Sequence, residues 1–125
     1  MTDFNKKNIL ADKSYQFALK IVSVCKELTS QKEYILSKQL LKCGTSIGAN
    51  VAEANGAISN ADFSAKISIA YKESLETKYW LRLLKDSNYL KEESFESLFE
   101  SADELSRILY SILKSTRIQP KKDNW

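Results

Sequence analysis

Apolar residues recur at steps of three and four through four stretches of the chain, the period of helices that each bury one face. In the first stretch, Phe17 or Ala18, Ile21, Val24 or Cys25, and Leu28 keep that step and predict a helix from Asp12 to Leu28, with Asp12 as its N-cap. Residues 1–11 read as a polar N-terminal arm. The second stretch carries Ile35, Leu36, Leu40, Cys43, Ile47, Val51 and Ala54 and runs towards Ile58, unless Gly56 ends it earlier. Ser30-Gln31-Lys32-Glu33 ahead of it has the spacing of a capping box, Ser30 bonding forward and Glu33 back. The third, capped by Ser59 or Asn60, runs from about Ala61 to Ser87 and alternates three and four through Phe63, Ile67, Ala70, Ser74, Thr77, Leu81 and Leu84. Asn88 suits the left-handed turn that follows. The fourth spans about Glu92 to Ser115, with Phe95, Leu98 or Phe99, Ala102, Leu105, Leu109 and Ile112 inward. Its acids lie in the first half and its bases in the second, matching the helix dipole. Residues 116–125 read as a flexible C-terminal tail.

Four helices with short connections predict an all-α fold, an antiparallel up-down-up-down four-helix bundle over residues 12–115. The second helix has an unusual composition. Gly44, Gly48, Ala52 and Gly56 recur every four residues and make one strip of very small side chains. A glycine inside a helix costs roughly 1 kcal/mol relative to alanine, so a repeated glycine implies close approach of another backbone. Ser46, Asn50 and Glu53 lie on the same helix and need partners if buried. On the third helix, Ile69, Trp80 and Leu83 fall off the main stripe, so that helix is expected to touch two neighbours, one of them another subunit or the rest of a single core.

Composition narrows the chemistry. The 125 residues make one domain on length, and one proline with three glycines fits a helical protein. No apolar run approaches the ~20 residues of a membrane span, and the first residues lead into no apolar leader, so the expected location is cytoplasmic and no membrane partner is expected. Cys25 and Cys43, on different helices, read as buried reduced thiols. The absence of histidine removes Ser-His-Asp and Cys-His catalysis and histidine-based zinc sites. Glu53 with Glu73 or Glu76 has the raw carboxylates of a metal site but not its Glu-x-x-His motif. Gly44-Thr45-Ser46-Ile47-Gly48 lacks the Lys-Ser/Thr of a phosphate loop. No catalytic residue, metal or cofactor is expected. The net charge of +3 permits nucleic-acid contact without demanding it. Lys78, Arg82 and Lys85 form a basic stripe near Tyr71 and Tyr79, and Lys121 and Lys122 add charge in the tail. Basic residues beside aromatics suit phosphates and stacked bases, although a solvated face has the same pattern.

Leu41-Lys42-Cys43-Gly44-Thr45-Ser46-Ile47-Gly48-Ala49-Asn50-Val51-Ala52-Glu53-Ala54 resembles the signature of the bacterial four-helix bundle family encoded in 23S rRNA intervening sequences. The likeness continues through Ala61-Asp62-Phe63, Ser68 to Ser74 and Glu76 to Leu81, over about residues 10–115. It implies an antiparallel four-helix bundle that forms homopentamers, with no enzyme activity. It also implies kinship with the basic accessory protein of diversity-generating retroelements, which works with a reverse transcriptase and RNA. Lys42, Cys43 and Ala54 depart from the usual arginine, small polar residue and glycine. On this reading Gly44, Ser46, Gly48, Asn50, Glu53, Ile69 and Trp80 serve structure and assembly. The resulting expectation is a non-catalytic oligomer that binds RNA or another nucleic acid, alone or with a protein partner. The alternative is an assembly or adaptor protein acting only through protein contacts.

Overall fold

A computed structural model of the chain describes residues 3–118, with side chains over 9–116. The architecture is the expected bundle: α1 (Asp3–Ser30), α2 (Ile35–Asn55), α3 (Asn60–Asp86) and α4 (Glu92–Leu113), continued by a π-helical turn at Lys114–Ile118. Consecutive helices pack side by side, α4 closes on α1 with the sparsest contact, and the diagonal pairs stay apart. Loops of a few residues leave each helix no choice but to return alongside the one before.

The core follows the three-four rule closely. Phe17, Ile21, Cys25 and Leu28 of α1 are buried, joined by Leu10. All seven of the α3 positions expected inside, from Phe63 to Leu84, are buried, Ser74 and Thr77 among them. Thr77 Oγ1 donates to the Glu73 carbonyl at 2.8 Å, so its hydroxyl enters the core already satisfied. Ile35 and Ile58, placed on the apolar stripe by periodicity, are 77% and 94% exposed: Ile35 is the first residue of α2, and Ile58 lies past its end in the connection to α3.

The boundaries needed three corrections. α1 starts at Asp3, not Asp12, so residues 3–11 of the expected arm are helical and Leu10 is core. Ser30 is the last residue of α1 and bonds back to Glu27 O at 2.6 Å. The α2 N-terminus is capped instead by Glu33, whose carboxylate accepts from the Leu36 and Ser37 N–H groups at 2.5 and 3.2 Å. A buried glutamate two residues before Ile35, the first residue of α2, thus takes the part assigned to Ser30. α4 ends at Leu113, two residues before the expected Ser115, and the chain continues into the π-turn, where Ser64 Oγ donates to Thr116 Oγ1 at 3.2 Å.

Other signals held. Gly56 closes α2, and Ser59 Oγ accepts from Asp62 N–H at 3.0 Å to cap α3. Asn88 is left-handed (φ 68°), with Tyr89 N–H reaching Leu84 O and Asn88 N–H reaching Lys85 O. α1 ends the same way: Lys32 has φ 66°, Glu33 N–H reaches Leu28 O and Lys32 N–H reaches Thr29 O. Both are Schellman stops, and Lys32 gives no warning of its role because it lacks the usual glycine or asparagine. The up-down topology puts these two turns at the same end of the bundle.

Candidate nucleic-acid interface

The small-residue strip divides in two. A Cβ on Gly44 would stand 2.9 Å from the Ile21 side chain, and one on Gly48 would stand 3.2 Å from the Ser14 carbonyl oxygen. These two glycines let α2 approach α1. Ala52 and Gly56 are exposed, and a Cβ on Gly56 would meet only Glu53 O of its own turn, at 3.7 Å. Beside the strip, Ser37 Oγ donates to Cys25 O at 3.3 Å, tying the two helices again.

Ser46, Asn50 and Glu53 lie on the edge of α2 turned to α3. Ser46 Oγ donates to Lys42 O at 2.6 Å, and Asn50 Nδ2 donates to Ser46 O at 2.8 Å, so both are satisfied within their own helix. Only Glu53 crosses, with Lys66 Nζ at 2.8 Å, and that bond holds the Lys66 ammonium above its ordinary pKa. Glu73 is half-buried, and desolvation with the nearby Glu76 charge raises its carboxyl, against a lowering by Lys42. Glu76 is engaged by Trp80, whose indole N–H donates to it at 3.0 Å. Lys66 and Glu73 are seven residues apart, about 10 Å along the axis, so Glu53 and Glu73 do not converge. Among the described residues no group of His, Cys, Asp and Glu is placed to hold a metal ion. Both thiols are buried, which raises Cys25 and pushes Cys43 up to about 11, far from nucleophilic.

The basic stripe on α3 faces α4. Lys78 Nζ donates to Asp103 at 3.0 Å, and its ammonium also stands 5.8 Å from the Phe99 ring centroid. Arg107 completes the group at 3.1 Å, and the Lys78 hydrogen bond leads in holding the Asp103 carboxyl below its ordinary range. Lys85 lies 4.5 Å over the Phe95 ring. Arg82 is exposed and makes no ion pair among the described residues. The three cations therefore do not present one equivalent free row. Lys121 and Lys122 lie outside the described residues.

A second cationic grouping emerges only from the topology. At the end carrying the α1–α2 and α3–α4 turns, Lys26, Lys32, Lys38, Arg82 and Lys91 are exposed and without ion pairs among the described residues. Tyr34 and Tyr89 are exposed at the same end. Gln31, Lys85, Tyr89 and Lys91 line one shared depression of about 790 Å³, together with Glu27, Glu92 and Asp86, the last 3.8 Å from Lys85 Nζ. Exposed cations with aromatic faces can hold phosphates and stack bases. These residues are scattered over some sixty positions, so no local motif marks them; the hairpin order of the helices was the available signal. The outer face of α4 is different, with Glu93, Glu96 and Glu100 exposed and unpaired among the described residues.

No helix among the described residues is long and apolar enough to cross a membrane. The family model described as 23S rRNA-intervening sequence protein matches residues 6–111. A crystal structure of a protein with unknown function from the S23 ribosomal protein family of Bacteroides thetaiotaomicron is 48% identical, with a TM-score of 0.85 over 87% of this chain and 98% of that one. No curated protein matches the chain.

Proposed function

The chain belongs to the 23S rRNA-intervening sequence protein family, and from that premise we propose that it is a non-catalytic, self-associating bundle that binds RNA through the end bearing the α1–α2 and α3–α4 turns. The observation that carries this is the exposed set Lys26, Lys32, Lys38, Arg82 and Lys91 beside Tyr34 and Tyr89. The family's name ties it to ribosomal RNA genes, which supports RNA as the partner. Assembly into a ring, a pentamer by the family resemblance, multiplies this end and adds avidity. Kinship with the retroelement accessory protein and a cytoplasmic site of action belong to the same reading. Lys78 and Lys85 contribute field, while their bonds to Asp103 and Phe95 leave them less free to reach a phosphate than Arg82.

Acidic residues restrict where phosphates sit. Glu92 and Glu93 begin α4 and Glu27 stands on α1, so phosphates are held by Lys32, Lys38, Arg82 and Lys91 around these acids. Each phosphate neutralised releases counterions, so affinity falls steeply with salt. The test is a filter-binding titration of structured and single-stranded RNA at low and physiological salt. The change Lys32→Glu with Lys38→Glu and Lys91→Glu should abolish binding, and Lys78→Glu with Lys85→Glu should weaken it less. Equal binding by the first variant and wild type would clear this end of the role. Wild type that binds no RNA even at low salt would leave the adaptor reading, which the acidic outer face of α4 favours.

A further inference from the structure

We propose that the depression between the last turn of α1 and the α3–α4 turn holds one unpaired guanine of a bound RNA strand; this rests on the RNA reading above and adds what that end recognises. The α1–α4 contact is the sparsest of the four helix seams, and at this end the seam opens into the cavity of about 790 Å³. Small-ligand sites run from roughly 300 to 1,000 Å³, so a nucleotide fits. Val24, Leu28 and Leu90 supply its apolar lining. Both walls are fixed by backbone bonds before anything binds. Gln31 N–H donates to Leu28 O at 3.0 Å on the α1 side, and Tyr89 N–H donates to Leu84 O at 2.8 Å on the other.

The polar lining is wrong for phosphate alone. Glu27, Asp86 and Glu92 all stand in it. Asp86 has Lys85 at 3.8 Å, whereas Glu27 and Glu92 are exposed and make no ion pair among the described residues. Glu27 also lies in the last turn of α1, where the helix dipole opposes a negative charge. Carboxylates within a phosphate-binding end only weaken it, unless they meet a part of the RNA that donates hydrogen bonds. The bases are that part.

A carboxylate accepts through two oxygens side by side and donates nothing. Guanine fits it best, because N1–H and the N2 amino group are adjacent donors on one edge. Adenine, cytosine and uracil each present a single donor group on that edge, next to an acceptor. The rest of the lining completes the match. Guanine O6 and N7 are acceptors, and Gln31, Asn88 and Lys85 bring N–H donors. Tyr89, 39% exposed, offers a ring for the base to stack on, and Lys91 takes the adjoining phosphate. The edge read by Glu27 and Glu92 is closed in a duplex, so the site takes guanine from a loop, bulge or single strand.

Strands of equal length and charge test this. The probes are a short oligouridylate and the same strand with one central guanosine, inosine or adenosine, titrated by fluorescence anisotropy at one low salt. Wild type should bind the guanosine strand about tenfold more tightly than the uridine and adenosine strands, with inosine, which lacks the N2 amino group, in between. Glu27→Gln with Glu92→Gln should remove that preference without weakening the oligouridylate. Both positions are exposed, and the comparison among strands on wild type needs no variant. Equal binding of all four strands by wild type would overturn the guanine site while RNA binding stands. A preference that survives the double change would overturn the assignment to these two acids. GMP alone should not displace the guanosine strand at matching concentration; if it does, the cleft belongs to a free nucleotide and the RNA subsite is overturned. Wild type that binds none of the strands would remove the RNA reading and this inference with it.

Discussion

The α1–α2 and α3–α4 seams join similar antiparallel helices by opposite means. Between α1 and α2 the contact is close and uncharged: Gly44 against Ile21, Gly48 against the Ser14 backbone, and Ser37 bonded to Cys25 O. Between α3 and α4 larger and more polar groups fill the gap. Ser74 and Ser106 share a buried hydrogen bond of 2.7 Å, Tyr71 and Tyr110 face each other at 5.8 Å, and Lys78 bridges to Asp103. A seam made by removing side chains has no tolerance for added volume. A seam made of paired polar groups loses one modest interaction at a time.

The largest expected effect follows from that difference. Gly48→Leu should cost on the order of 1–3 kcal/mol or more, since the Ser14 backbone cannot step aside as a side chain can. Chemical denaturation measures it. Because alanine is intrinsically better than glycine in a helix by roughly 1 kcal/mol, the smaller change Gly48→Ala is a sign test. If Gly48→Ala stabilises the protein, the α1–α2 seam is looser than described and the contrast with α3–α4 fails.

In the other seam, Ser106→Ala should cost about 1 kcal/mol. Ser74 keeps its bond to Tyr71 O at 2.6 Å, so no buried hydroxyl is stranded. A loss as large as that of Gly48→Leu would show that the serine pair is a packing element as tight as the glycines.

Lys78→Ala should cost less again, below about 1 kcal/mol, because Asp103 is partly exposed and keeps Arg107. The cost should shrink in high salt, whereas that of Gly48→Leu should not.

The smallest effect is in pH. Asp103 is held below its ordinary 3.8, so its contribution is present above that value and lost as pH falls through its lowered folded pKa. Glu73, raised from 4.5 by burial and Glu76, works the other way: its contribution is present below 4.5 and lost as pH rises through the raised value. Stability curves of Asp103→Asn should therefore be flatter than wild type below about pH 4, and those of Glu73→Gln flatter above about pH 4.5. Parallel curves for all three proteins would mean that neither carboxyl is coupled to folding.

Much of the fold was legible in the chain because burial of one helical face follows directly from the three-four period. The α3 stripe from Phe63 to Leu84 was read residue by residue, and Ser59, Gly56 and Asn88 announced their ends. Errors fell where a local signal had a rival. Ser30-Gln31-Lys32-Glu33 has the capping-box spacing, but the Schellman turn at Lys32 keeps Ser30 inside α1 and hands the capping to Glu33. Asp12 looked like a cap only because nothing in the polar residues before it announced that the helix had already begun.

The candidate interface was less legible for a different reason. Lys78, Arg82 and Lys85 share a face on any helix, so sequence could propose them as a row; it could not know that Asp103 and Phe95 of α4 would stand opposite. Lys32 and Lys91 are far apart in the chain and meet only because two hairpin turns lie at one end. The sequence by itself determined which residues form helices and which face each helix buries, since period, caps and side-chain volume act within a few residues of one another. Tertiary structure alone decided which exposed charges are already paired, which seam is left uncharged and which loops share an end, because those depend on groups brought together by the return of the chain.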